Sequence, residues 1–167
     1  MLFRSLVYIN AGTISKSGVT SNAISTANLT AGVFMGCQYV NTQGQNVQAQ
    51  YYPGNAAASS AIAYVVVDAN AAFKVAVTNG SGAVSSTTVK AIGVNLAVDQ
   101  TTAGSTTTGD SGEGATAPTS GAGNLTSLPL KVIAVVPETA VNATNFSEVV
   151  VVLNNPQITR TTGNDFA

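Results

Sequence analysis

Few side chains in this chain can do chemistry, and those that can stand far apart. The 167 residues include no histidine, which removes the usual general base, the Ser-His and Cys-His nucleophiles, and every His-containing metal site. Cys37 is the single thiol, so no intrachain disulfide can form. Without a base, and set between Gly36 and Gln38 in a strand-forming run, it reads as a small buried hydrophobe. Asp110-Ser111-Gly112-Glu113-Gly114 could offer oxygens to a hard cation, but it has too few carboxylates and lacks the EF-hand spacing. A glycosidase pair needs two carboxylates held rigidly across a cleft, which a Gly-rich loop does not promise. The expectation is a solvated acidic spot, no enzyme activity, and no catalytic, cofactor-binding or metal-ligating residue.

Gly80-Ser81-Gly82 and Gly109-Asp110-Ser111-Gly112 lack the Lys-Ser/Thr ending of a phosphate loop and the strand-to-helix dinucleotide pattern, and read as turns. Arg4, Lys16, Lys74, Lys90, Lys131 and Arg160 form no basic run, so direct nucleic-acid contact is not expected. Glycosylation-like triplets begin at Asn28, Asn79, Asn124, Asn142 and Asn145. In a chain this rich in Asn and Thr they read as chance matches. Met1-Leu2-Phe3-Arg4 is not followed by the apolar stretch of a signal peptide, so export by that route is not expected.

The body that carries these residues is unusual in its charge. Only 8% of residues are charged, against roughly 25% in an ordinary soluble domain. Hydrophobic residues make up 45%, and the formal net charge is -1. The surface is therefore polar mainly through Gly, Ala, Ser, Thr and Asn, a composition that favours association. The length suits one domain, or one domain with an arm. The longest apolar runs, 132–137 and 149–153, are far shorter than the roughly 20 residues of a membrane helix and read as strands.

The spacing of apolar residues predicts an all-β chain: a compact β-sandwich or β-barrel-like body with an extended N-terminal arm and a long Gly/Thr-rich loop. Residues 1–31 form a strand near Ser5–Ile9 and then an arm, with Ser21 to Ala31 permitting one short helix. Residues 32–156 form the body. Its strands are expected near 33–40, 47–52, 62–67, 73–77, within 85–98, 128–136 and 146–153. Phe73, Val75 and Val77 alternate with Lys74, Ala76 and Thr78, as a half-buried strand requires. Ile92, Val94, Leu96 and Val98 share one parity and should make one apolar face, which Lys90 extends. Val149 to Leu153 has no polar alternation, so both its faces should be covered, by the fold or by a neighbouring subunit. The tract 99–127 carries almost no core-forming residue and reads as a long loop or a tract ordered by a partner. Residues 157–167 form a polar tail, loose from Asn154 onward.

Gly32-Val33-Phe34-Met35-Gly36-Cys37-Gln38-Tyr39, Tyr51-Tyr52-Pro53 and the run from Tyr64 to Val75 resemble a family of small tailed-bacteriophage virion proteins. Leu130-Lys131-Val132-Ile133 and Glu148 to Val152 continue the likeness, which spans roughly 32–155. Members of that family accompany the major capsid protein as head decoration or cement subunits. The resemblance implies a β-rich body on the outer surface of an icosahedral capsid, bound to the major capsid protein and self-associated in small clusters such as trimers. It implies no cofactor and no membrane. Two alternatives stand beside it: an integral minor capsid or tail component, and a carbohydrate-binding or adhesion module using aromatic residues such as Tyr39, Tyr51, Tyr52 and Tyr64.

Overall fold

A computed structural model describes residues 4–16, 30–54, 60–78, 92–100, 102–116, 128–139, 147–154, 156 and 158. The fold is all-β, a closed five-stranded barrel joined to a five-stranded antiparallel sheet. The sheet contains β1 (Leu6–Asn10), β2 (Thr13–Lys16), β3 (Gly32–Val40), β4 (Asn46–Ala49) and β5 (Ile62–Val66). The barrel contains β6 (Ala72–Thr78), β7 (Asn95–Asp99), β8 (Gly114–Thr116), β9 (Leu130–Val135) and β10 (Ser147–Leu153). A 3-10 turn, Pro137–Thr139, precedes the last of these.

Strand β3 organises the sheet. Val33 pairs with both Leu6 of β1 and Val66 of β5, while Cys37 pairs with both Ala49 of β4 and Ala63 of β5. A strand has two edges, so β1 and β4 occupy successive stretches of one edge and β5 pairs along Val33 to Gln38 of the other. The register of β3 against β5 slips between Phe34 and Gly36, and Gly36 has a φ of 134°, a value suited to glycine at a bulge. The extra residue lets Phe34 and Cys37, three positions apart, face the same side, where both are buried with Val7. It leaves Met35 outside, 42% exposed.

The barrel repeats this device. Val150 and Val151 of β10 pair with Ala134 and Val132 of β9, making Ile133 the surplus residue. Val132 and Val135 then both contribute to the inner cluster, while Ile133 is 44% exposed. Around the barrel, inward positions are filled mainly by Val, Leu and Ala: Val77, Leu96, Val98, Ala115, Leu130, Val149, Val151 and Leu153 are all buried. Five strands enclose a narrow space, which side chains of this size fill.

Several expectations change here. The N-terminal arm turns back at Ala11-Gly12 into the hairpin β1–β2; residues 17–29, including most of the suggested helix, lie outside the described residues, and Thr30 and Ala31 are not helical. The tract 99–127 is not one loop at its near side. Asp99 ends β7, and Gly114–Thr116 inserts as β8 between β6 and β7. The single apolar face of 92–98 divides, because Gly93 turns the chain with a φ of 88° before β7 begins. Leu96 and Val98 point into the core, whereas Ile92 and Val94 are exposed. In β10 only one face is fully covered; Val150 and Val152 are half-buried. Asn154 is not loose. Its backbone N–H donates to the Pro129 carbonyl at 2.7 Å and its side chain to the Leu128 carbonyl at 2.8 Å.

The close approach of β3 and β5 rests on Gly32, where a Cβ would lie 2.2 Å from the Val66 carbonyl oxygen. Gly44, in the β3–β4 turn with a φ of 79°, has open space around that position. Gly32→Ala is therefore expected to destabilise the protein by about 3 kcal/mol through overpacking, and Gly44→Ala by about 1 kcal/mol through backbone strain alone. Urea unfolding of the two variants checks the difference.

Candidate functional site

The residues that sequence reasoning singled out do not converge. Cys37 is buried beneath the sheet and donates weakly to the Tyr51 carbonyl at 3.5 Å. Burial pushes its thiol above the ordinary range, because desolvation disfavours the thiolate. Asp110 is exposed on a turn organised by Ser105, whose carbonyl accepts from Gly109 and whose N–H donates to the Asp110 carbonyl. Gly80-Ser81-Gly82, Lys90, Phe146 and Arg160 lie outside the described residues. So do the Asn79, Asn124 and Asn142 triplets. For the triplets at Asn28 and Asn145, the hydroxyl residues Thr30 and Ser147 are each 1% exposed. Among the described residues, no three of Cys, Asp and Glu cluster in the manner of metal ligands.

Glu113 is where the expectation of a solvated acid fails. Its side chain is 6% exposed. One carboxylate oxygen accepts from the backbone N–H of Leu6 at 2.9 Å; the other accepts from Lys16 Nζ at 3.1 Å and from Gln100 Nε2 at 3.2 Å. The acid thus ties the N-terminal hairpin to the barrel. Its flanking glycines make this possible, since a Cβ on Gly112 would sit 2.4 Å from the Thr102 carbonyl oxygen and one on Gly114 would sit 3.1 Å from that of Ala76. A second buried acid, Asp99, accepts from the Thr78 hydroxyl where β7 and β6 flank β8. Both contacts join segments distant in sequence. The only local sign was a glycine on either side of Glu113.

While Glu113, Asp99 and Glu148 hold elements together, apolar and aromatic side chains are exposed elsewhere. The aromatic residues divide between core and surface. Phe34 is buried, and Tyr39 meets Tyr52 edge to face at 5.9 Å between ring centres. Tyr64 is 47% exposed, and its hydroxyl donates to Gln38 Oε1 at 3.2 Å. The pairing register sets Tyr64 and Ile62 on the same side of β5 as Val66, opposite the side that buries Ala63 and Val65. Near β1 this outward side meets the barrel, where Leu6 and Val33 join the barrel core. Beyond the barrel it reaches solvent as Met35, Tyr64 and Ile62, with a shallow depression of about 270 Å³ beside Gly36.

Between sheet and barrel lies an open cleft of about 600 Å³. Leu6, Val33, Val66 and Phe73 give it apolar walls, and Arg4, Lys74 and Glu148 add charge. Lys74 and Glu148 pair across β6 and β10 at 2.9 Å. The cleft opens beside Met35, so the apolar strip on the sheet continues into it. No family model, curated protein or solved structure matches the chain.

Two measurements test these assignments. Replacing Glu113 with Ala strands the Leu6 N–H and is expected to destabilise the fold by about 2–3 kcal/mol, with the Leu6 amide losing hydrogen-exchange protection first. For Cys37, the raised thiol value means that the unfolded chain ionises before the folded one. Its contribution to stability is complete below about pH 8.5 and is lost as pH rises through the folded value. Alkylation at pH 8 should accordingly be more than about tenfold slower in the folded protein than in urea.

Proposed function

We propose that this is a non-enzymatic structural protein of a tailed-bacteriophage virion, decorating the outer surface of the icosahedral capsid and stabilising it by bridging capsomers. Its partner is the major capsid protein, and its copies gather in small clusters. The observation that carries the reading is the uncharged strip of Met35, Tyr64 and Ile62 on a rigid sheet, running into the cleft beside the barrel. The likeness of 32–155 to capsid decoration proteins supplies the context. No turnover is required of such a protein. Each contact can be modest, because a first attachment raises the effective concentration for the next. A net charge of -1 spares closely arrayed copies from mutual repulsion.

A sugar-binding reading draws on one specific feature, the exposed ring of Tyr64 beside the Gln38 amide, since an aromatic face with an adjacent amide can hold a sugar ring. The two readings separate in one experiment. Purified protein is added to capsid shells lacking it, and occupancy and resistance to heat are measured. Saturable binding with a raised disruption temperature is expected, and Tyr64→Lys should reduce occupancy at least tenfold, about 1.4 kcal/mol. Saturation without added resistance overturns the stabilising role. Absence of shell binding together with glycan binding lost in Tyr64→Ala favours the sugar reading.

A further inference from the structure

We propose that β5 pairs edge to edge with β5 of a second copy of this chain, antiparallel about a two-fold axis through Tyr64. The backbone of Ile62–Val66 is paired to β3 along one edge, and among the described residues no strand pairs with the other. An unpaired edge is a template for another strand, and proteins that must stay monomeric blunt it with charge, proline or a bulge. From Ala61 to Val67 there is no charged residue and no proline, and the bulge of this pair belongs to β3, leaving the free edge regular. Ile62 is 58%, Tyr64 47% and Val67 40% exposed. The other ends of the sheet are poorer candidates. Strands β2 and β4 present four residues each, and β2 carries Lys16.

The sequence of β5 is complementary to itself in this arrangement. With Tyr64 opposite Tyr64, Ile62 faces Val66 and Ala63 faces Val65. On the outward side the Ile62 and Tyr64 side chains of both copies form one continuous apolar row, and on the other side Ala63 and Val65 extend a face already covered in each subunit. Asp68, the first acid after the strand, falls opposite Ser60 of the second copy, so no like charges meet. A contact in which the same patch serves both partners closes on itself as a pair. This inference does not depend on the capsid reading, because the pairing requires only the chain itself.

Sedimentation of the full chain, with no shell present, tests it. The expected mass rises with concentration from the 16.7 kDa chain to twice that value. The double variant Ile62→Lys with Tyr64→Lys is expected to stay monomeric with an unchanged circular dichroism spectrum. As a second measurement, Tyr64→Cys in a Cys37→Ala background should oxidise to a disulfide-linked dimer, while Ile133→Cys, on the exposed wall of the barrel, should not. A chain that remains monomeric at high concentration, a trimeric mass, or failure of Tyr64→Cys to cross-link ahead of Ile133→Cys overturns the proposal.

Discussion

The Glu113 carboxylate holds the two halves of this molecule in one arrangement. Strand β1 has only a short ladder to β3, yet its alternating side chains serve both cores: Leu6 enters the barrel cluster and Val7 the cluster under the sheet. A strand so placed must be fixed along its length, because a slip of one residue would exchange the two side chains. The Leu6 N–H donates to Glu113, and the returning strand β2 adds Lys16 to the same carboxylate. An ion pair with a buried carboxylate and a lysine 44% exposed gains little by itself after desolvation and screening. Here it specifies register, and the burial of Leu6 and Val7 supplies the stability.

The same constraint accounts for the glycines around it. Thr102 and Ala76 bring backbone carbonyls against Gly112 and Gly114, and the chain between them can then pass close enough to the barrel to add β8. The low complexity around 112–114 therefore has a packing cause: the residues are small because backbones meet there. Composition registers this as loop, since a glycine required by close packing and a glycine in a linker are the same letter.

This difference marks how far the sequence was legible. Alternation and short apolar runs are local properties, so β6 was visible by its period and β9 and β10 as apolar runs of strand length, and the all-β class followed from them. A bulge changes the period at one position, and the surplus residue itself, Met35 or Ile133, carries no distinctive sign. Phe34 and Cys37 share a face only through the surplus Met35, and Val132 and Val135 only through Ile133. Pairing across long separations is less visible still: Leu6 and Glu113 are 107 residues apart. The exposed apolar strip was half legible. Tyr64 was visible as an aromatic within a strand, but its exposure depends on β5 standing at the edge of the sheet and on the barrel covering only part of that sheet's outer side.

The scarcity of charge then acquires a location. Of the charged groups on the described surface, Lys16 and Glu113 fasten the hairpin, and Lys74 and Glu148 bridge neighbouring barrel strands. These charges are already spent on the fold. The outer side of β5 has none, and its apolar groups lie on a sheet whose shape is set from beneath by Phe34, Val7 and Cys37. An apolar surface on a mobile loop would lose entropy on meeting a partner; one on a packed sheet does not pay that term again. Neutrality alone would make a protein prone to unspecific association. Neutrality confined to an edge and face of a packed sheet favours only those contacts that match it in shape and hydrogen-bond register.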